Sequence, residues 1–417
     1  MDQTPLNPYH DFYDKLADDA AFFWVLRSAA LKQPHFNQID IVELEQRITA
    51  RLDGLITSPE EAWTLCEAAL EFDQEGEAFV AAVLAFYSLD NYKIQRAVEA
   101  GLASPQAFKG LTGALAWLPG SQCHSWIKKF LTSKDLNHKY LAITLCSLRR
   151  EDPSDYLTAI LQRADCIAYK PLYLRALRLI GELKRADLNP FLNIAQQSDD
   201  DDIIFWSHWS AVLLGDRAAA NRLIPFIKSD DMYQQKAIDI VFRVLPIDDA
   251  RRLIAQLAAS PEQIRTVIKA TAALGDPHAV SWLIAQMQTP ENARLAGEAF
   301  TLITGIDIDD NQLALEAPPK QEGSNVEEDA DDNMDMPEDE HLPYPDEHKV
   351  SALWATRQQQ LVVGKRYFMG KLLEAEHLQN VFVTGKQRQR KMAALELALL
   401  LPQQFLLNSA AKGLTDE

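Results

Sequence analysis

Short polar turns recur at nearly even spacing through the middle of this 417-residue chain. They consist of Asp, Asn, Gly and Pro residues, which favour turns, and they fall at positions 90, 120, 152, 187, 216, 248 and 276. Successive turns are separated by 28 to 35 residues. A period of about 31 residues indicates an array of repeated units, each of which is one supersecondary element.

The segments between the turns carry apolar residues at spacings of three and four, which predicts paired amphipathic helices. The clearest pair comprises Ile264 to Leu274 and His278 to Gln288. Gly275 suits the end of the first helix, and Asp276-Pro277 suits the start of the second. Because one short helix pair cannot bury both of its faces, neighbouring pairs must stack. The sequence therefore predicts an all-α solenoid of helix pairs, with an irregular helical bundle as the alternative.

The rest of the chain is predicted to flank these repeats. We expect an amino-terminal helical cap in residues 1–75, the repeats in 76–305, an acidic disordered linker in 306–348 and a small basic, mostly helical carboxy-terminal region in 349–417. From Glu316 to Glu347 the chain has 13 acidic residues and one basic residue, too little apolar surface to offset the entropy of ordering. From Lys349 to Glu417 it has ten basic and five acidic residues.

Composition restricts the compartment and the partners. The net charge of −19 argues against a nucleic-acid partner, which requires clustered Lys and Arg. The amino terminus lacks the pattern of a secretory signal, and the longest apolar run, Ala78 to Leu89, has 12 residues, whereas a membrane-spanning helix needs about 20. Four scattered cysteines suggest reduced, buried thiols. We expect a cytoplasmic protein without membrane insertion.

No catalytic, cofactor or metal motif is found in the sequence. Nucleotide-binding glycine loops, the H-E-x-x-H zinc motif and the G-x-S-x-G nucleophile motif are absent, and no cofactor is predicted. Acidic residues at 329, 331, 335 and 340, with Asn333, match part of a calcium-loop spacing, but Met334 stands where the loop requires Gly. A solvated acidic run is the preferred interpretation of this segment.

Two groups of residues are candidates for binding a protein partner. The aromatic candidates are Trp117, Trp126, Trp206 and Trp209, and the basic candidates are Arg388, Arg390 and Lys391. Trp and Arg are frequent at the centres of protein interfaces. The alternatives are that the tryptophans fill gaps between helix pairs and that the basic group offsets the acidic linker.

Residues Arg265 to Gln288, with the core TAALGDPHAVSWLIAQM, resemble the HEAT-like repeats of phycobilisome lyases. Across the whole chain, six blocks resemble a bacterial family of HEAT-repeat proteins that are often encoded beside type VI secretion spike and effector genes. The blocks are AAFFWVLRSAAL (20–31), RLDGL (51–55), GEAFTLITG (297–305), LPYPDEHKV (342–350), GKRYFMG (364–370) and QRQRKMAALELALL (387–400). This resemblance implies a setting and no catalytic residues.

The expected function is a non-enzymatic protein-interaction scaffold, an adaptor for type VI secretion effector or spike components. Two alternatives remain open at this point. One is a lyase-like enzyme with a pocket in the solenoid groove, and the other is an immunity or regulatory protein that binds a toxin.

Overall fold

The computed structural model describes residues 9–229, 232–316 and 338–413. Within these ranges the chain forms 22 α-helices, a few short 3-10 turns and one hairpin of two short strands. The predicted all-α fold is confirmed. The described residues divide into two compact units: unit 1 contains 9–32, 36–195 and 405–413, and unit 2 contains 33–35, 196–229, 232–316 and 338–404. The predicted cap and repeat boundaries stay predictions.

Unit 1 contains the first twelve helices. They are α1 (His10–Ala30), α2 (Gln38–Ile56), α3 (Pro59–Ala69), α4 (Glu75–Ser88), α5 (Asn91–Gly101), α6 (Pro105–Trp117), α7 (Gly120–Thr132), α8 (Leu136–Arg149), α9 (Asp155–Gln162), α10 (Ala164–Ala168), α11 (Lys170–Glu182) and α12 (Asn189–Ala195). Helix α4 packs on α6, α6 on α8, and α8 on α11, while α1 packs on α2 and α4.

Small residues bring the first helices of unit 1 close together. A Cβ atom on Gly110 of α6 would lie 2.2 Å from the carbonyl oxygen of Glu75 in α4. A Cβ atom on Gly113 would lie 2.4 Å from the ring of Trp24, which stacks on Phe79 with 4.9 Å between ring centroids. Only glycine therefore permits this approach of α6 to its neighbours.

Unit 2 contains the other ten helices and the hairpin. They are α13 (Asp201–Leu213), α14 (Pro225–Lys228), α15 (Gln234–Val244), α16 (Ile247–Leu257), α17 (Ile264–Leu274), α18 (Val280–Gln286), α19 (Pro290–Thr304), α20 (Glu347–Arg357), α21 (Ala375–Thr384), α22 (Gln387–Leu400), β1 (Tyr367–Phe368) and β2 (Lys371–Leu372). Among its helices, α13 packs on α15, α15 on α17, and α17 on α19. None of the described helices in either unit is both long and apolar enough to cross a membrane.

The helix pair predicted most clearly forms as expected. Helix α17 ends at Leu274, and Gly275 follows in the left-handed conformation with φ of 71°. The side chain of Asp276 then accepts a hydrogen bond from the backbone N–H of His278 (3.2 Å), at the start of a 3-10 turn that leads into α18. The predicted turns at positions 90, 152, 187 and 216 also lie between α-helices, whereas Gly120 is the first residue of α7, and Asp248 and Asp249 lie in the first turn of α16.

The hairpin of β1 and β2 caps the carboxyl ends of α17 and α19. The backbone N–H of Tyr367 donates to the carbonyl of Gly275 (2.8 Å), and that of Met369 donates to the carbonyl of Leu302 (2.6 Å). The Arg366 side chain donates to the carbonyl of Leu274 (3.0 Å). Carbonyls in the last turn of a helix lack intrahelical partners, so the hairpin satisfies groups that would otherwise be unpaired.

Both described ends of the predicted 306–348 linker are packed rather than free. Ile306, Ile308 and Leu313 are buried in a core that includes Val350 and Trp354. The two ends also pair with each other, since the N–H of Leu315 donates to the carbonyl of Tyr344 (2.9 Å). The disorder expected from the acidic charge does not occur at these ends, because apolar residues lie among the acidic ones and pack into the core. Residues 317–337, with the calcium-like spacing from Asp329 to Asp335, lie outside the described residues.

Candidate functional site

The last described residues of the chain, Phe405 to Gly413, belong to unit 1 and contact five of its helices or their ends, α1, α2, α6, α8 and α11. We call these residues the tail segment. It contains no helix or strand and has one turn, at Ser409 and Ala410. Polar groups hold it at two anchor points and at one position between them, and together these groups form what we call the tail groove: Arg27, Glu45, Trp117, Leu148, Arg150 and Glu182.

The first anchor binds the main chain of Leu406. The Nε atom of Arg150 donates a hydrogen bond to the carbonyl of Leu406. In return, the N–H of Leu406 donates to the carbonyl of Glu182, with 2.8 Å between nitrogen and oxygen. Arg150 follows the last residue of α8 in the left-handed conformation, with φ of 57°. The two helix ends, of α8 and α11, thus satisfy both polar groups of one tail residue.

A buried charge cluster supports this anchor. The carboxylate of Glu182, which is 0% exposed, lies 2.8 Å from Arg178, 3.3 Å from Arg150 and 3.9 Å from Arg175. It also accepts a hydrogen bond from the hydroxyl of Ser147. Burial by itself would raise the pKa of Glu182, but the three arginines lower it to about 2. Burial lowers the pKa of Arg175 to about 10. All the charged members of this cluster belong to unit 1 outside the tail segment.

Between the anchors, the side chain of Asn408 fixes the register of the tail segment. Its Nδ2 atom donates to the carbonyl of Leu148 in α8, at 2.7 Å. Its Oδ1 atom accepts a hydrogen bond from the N–H of Ala410, at 3.1 Å. One amide side chain therefore contacts the groove and stabilises the turn that follows it.

The second anchor repeats the chemistry of the first. Arg27 in α1 and Glu45 in α2 form a buried ion pair with 2.6 Å between Nη2 and Oε1. Arg27 donates to the carbonyl of Ala410 (3.0 Å), and the N–H of Gly413 donates to Oε2 of Glu45 (2.8 Å). As at the first anchor, an arginine donates a hydrogen bond to a tail carbonyl and a glutamate accepts one from a tail N–H. The acceptor is the side chain of Glu45 here, whereas it is the backbone carbonyl of Glu182 at the first anchor.

Trp117, one of the predicted partner-binding residues, lies in the tail groove. The ammonium group of Lys412 sits 4.4 Å from the centroid of its ring, within the range of a cation–π contact. Beside this contact is a cavity of about 360 Å³, which Lys412 and Gly413 line together with Asp53, Tyr87 and Arg149. The cavity therefore has the end of the tail segment as part of its wall.

The other three predicted tryptophans fill space between helices. Trp126 meets Phe86 edge to face with 5.0 Å between centroids, and Lys129 lies over its ring. In unit 2, Trp206 and Trp209 are buried and pack edge to face at 5.4 Å. These contacts match the alternative that the sequence left open for them. Whether any of the three also binds a partner stays a prediction.

The predicted basic group lies in unit 2, where its members have separate environments. Arg388 forms an ion pair with Glu298 (2.9 Å) and donates to the backbone carbonyl of Glu338. Burial raises the pKa of Glu298, and the charge of Arg388 opposes that shift. Arg390 is buried and donates to the carbonyl of Phe382 (2.8 Å), whereas Lys391 is exposed. These residues do not form one basic patch.

The thiols and the possible metal ligands offer no reactive centre in the described ranges. All four cysteines there are buried and free. Burial raises the pKa of Cys66 and of Cys123 to about 12, so the nucleophilic thiolate is disfavoured. No group of three or more His, Cys, Asp and Glu residues in those ranges could hold a metal ion.

The sequence did not predict the anchors of the tail groove. Arg27 and Glu182 each interrupt an apolar helical stretch, in FFWVLRSAAL and LRLIGEL, and a charge at such a position requires a partner. The Leu406-Leu407 pair after Pro402 is a second signal, because apolar residues beyond the last helix need a surface to cover. Neither signal identifies the partner, which is up to 383 residues away in the chain.

Comparisons with protein-family models, with curated proteins and with solved structures find no match to this chain. What the tail groove can bind is therefore inferred from its own donors, acceptors and shape.

Proposed function

We propose that this chain is a non-enzymatic protein-interaction scaffold built from HEAT-like helix pairs stacked as a solenoid. The order of helix packing supports the stacking. In unit 1 the series α4, α6, α8 and α11 pack in succession, and in unit 2 the series α13, α15, α17 and α19 do the same. Stacked repeats of this kind present long surfaces that bind other chains.

The observation that carries the proposal is the way in which the tail groove holds a polypeptide. Four hydrogen bonds bind the main chain of the tail segment: Arg27 and Arg150 donate to its carbonyls, and Glu45 and Glu182 accept from its N–H groups. Side chains and helix ends that satisfy backbone N–H and C=O groups suit a polypeptide ligand, because every polypeptide carries these groups. The groove therefore has the chemistry of a peptide-binding surface.

The class of partner follows from the sequence resemblance. Because the six blocks resemble proteins encoded beside type VI secretion genes, we propose a secretion effector or spike component as the partner. The scaffold would hold this partner before its delivery.

Co-purification from the native host, followed by identification of the enriched proteins, tests this function. We expect the wild-type chain to enrich a secretion effector or spike component. Arg150→Gln should reduce that enrichment at least about tenfold, since it removes a charged donor from the first anchor. Arg357→Gln, the same change at an exposed side chain in unit 2, is the matched control. Enrichment of no secretion component by the wild-type chain would contradict the proposal.

A further inference from the structure

We infer that the tail segment is an internal competitor for the ligand of the tail groove. The ligand is then a segment of another protein that has no regular secondary structure and carries the same three recognition residues. These are an Asn, a Lys four positions later and a Gly directly after the Lys, as in Asn408, Lys412 and Gly413. This inference rests on the proposed function and specifies the partner of the same groove.

The groove is organised independently of the tail. The Arg27–Glu45 and Arg150–Glu182 pairs are each formed between residues of the helices or their ends, at 2.6 Å and 3.3 Å. Neither pair includes a residue of the tail segment, and removal of the segment would take one hydrogen-bond partner from each of the four residues. Preorganised groups of this kind bind a second chain without a large ordering cost.

Three contacts select side chains rather than main chain. Asn408 reaches the carbonyl of Leu148, and Lys412 lies over the ring of Trp117. At Gly413, a Cβ atom would lie 2.7 Å from Cγ2 of Val42, so a larger residue requires a shift of the Val42 side chain, of α2 or of the tail. The groove therefore favours an amide at the position of Asn408 and an ammonium group at the position of Lys412, because it contacts both. At the position of Gly413 it disfavours any larger residue.

The tail segment is held in a way that allows release. It has no helix or strand, Phe405 is 41% exposed, and Ala410 and Ala411 are also exposed. No residue of the tail segment is fully buried, and segments with few buried apolar contacts open at low free-energy cost. Pro402 and Gln403, just before the tail, are exposed, so the chain can be cut there without disturbing a packed element.

Cleavage after folding provides the test, because it avoids a truncated chain that could fail to fold. A recognition sequence for a specific protease is inserted after Gln403, and the full chain is purified and then cut. A fluorescent peptide with the sequence of residues 404–417 is added, and its anisotropy is followed. We expect saturable binding to the cut chain. Binding to the uncut chain should be about 100-fold weaker, since the tethered tail competes at a high effective concentration.

Variant peptides test the three recognition residues. Gly413→Val should weaken binding at least about tenfold, and Asn408→Ala should weaken it about fivefold. Lys412→Gln should also weaken it, and only this loss should become smaller at high salt. Ala411→Ser, at an exposed position, is the matched control and should bind as the parent peptide does. Circular dichroism of the uncut insertion chain verifies that its fold is unchanged.

Three results would overturn the inference. One is absence of peptide binding to the cut chain after its own tail has been washed away. Another is equal binding of the parent, Gly413→Val and scrambled peptides. The third is a stable dimer of uncut chains that exchange tails, which would make a second copy the occupant. Peptide binding without any co-purified secretion component would leave the groove intact and refute only the proposed partner.

Discussion

At the residue scale, the tail groove depends on one carboxylate. Glu182 is fully buried, and it compensates the charges of Arg150, Arg175 and Arg178. Arg150 in turn binds the tail, so the first anchor needs Glu182 although the carboxylate does not contact the tail itself. Breaking a buried ion cluster by removing one partner leaves the other charges without compensation in a poorly solvated place.

Glu182→Gln is therefore expected to destabilise the chain by about 3–5 kcal/mol at neutral pH. Chemical denaturation monitored by circular dichroism measures this loss. The control is Asp248→Asn, which removes an exposed ion pair with Arg251 at 3.7 Å and should cost less than about 1 kcal/mol. Equal losses of unfolding free energy in the two variants would show that Glu182 contributes no more to stability than an exposed carboxylate does.

The pH dependence of stability gives a second test of the same carboxylate. The pKa of Glu182 is about 2 in the folded chain, below its ordinary value of 4.5. A lowered pKa means that the stabilisation by Glu182 is complete above pH 4.5 and is lost as the pH falls towards 2. The stability difference between wild type and Glu182→Gln should therefore narrow over that range. A constant difference from pH 7 to pH 2.5 would contradict the assignment.

Single residues were predicted from the sequence only where the residue type itself was informative. Trp117 is predictable because tryptophan is frequent at protein interfaces, and its ring lies in the tail groove. Arg150 is not predictable, because it follows another arginine, Arg149, and nothing in the local sequence distinguishes the two. Its function arises from Leu406, which is 256 residues away, and no local pattern encodes a contact at that separation.

At the element scale, the hairpin of β1 and β2 explains why two separate sequence blocks each end in glycine. Gly305 ends the block GEAFTLITG, and Gly370 ends the block GKRYFMG. Both have positive φ, of 71° and 78°, and each approaches the backbone around the other. The blocks contain glycine because the hairpin and the end of α19 meet backbone to backbone.

Gly364 and Gly370 both have positive φ, but only Gly370 lies close to the backbone of another element. Alanine substitutions at the two positions therefore distinguish the cost of backbone strain from the cost of a steric clash. In Gly370→Ala, the new Cβ would lie 2.6 Å from the carbonyl oxygen of Thr304, whereas a Cβ atom added to Gly364, which has φ of 86°, would have no neighbour within 4 Å. Gly364→Ala should therefore cost only the left-handed conformation, about 1 kcal/mol. Gly370→Ala should cost at least about 2 kcal/mol. Thermal unfolding compares them, and equal shifts would exclude the close approach as a cause.

Helices were predictable from periodicity, but their connections were not. The pair α17 and α18 was predicted nearly residue by residue, because Gly275 and Asp276-Pro277 mark its turn chemically. The segment from Arg366 to Phe368 lies in a region that the sequence predicts as mostly helical, and its role as a cap on two helix ends has no local signal. Capping of this kind joins residues separated by 67 to 92 positions, and it depends on how the helices pack.

At the scale of the whole molecule, the net charge of −19 is divided unevenly along the chain. The described end of the acidic run, from Glu338 to Glu340, is held in unit 2 by basic side chains. Lys269 pairs with Glu338 (2.5 Å), Arg265 with Asp339 (3.0 Å) and Arg294 with Glu340 (2.8 Å). These pairs are partly exposed, so each contributes little alone and all are weakened by salt.

We therefore expect salt to loosen residues 338–340 while the helices of unit 2 stay folded. Cleavage after Glu338 or Glu340 by a glutamyl endopeptidase should accelerate several-fold as ionic strength rises from about 0.02 M to about 0.5 M. Arg294→Gln should already show faster cleavage at low salt, since it removes the pair with Glu340. A peptide substrate corrects for the effect of salt on the protease. A cleavage rate that is independent of salt in the wild-type chain would mean that the apolar contacts around Ile308 and Leu313, and not the ion pairs, hold this end of the acidic run.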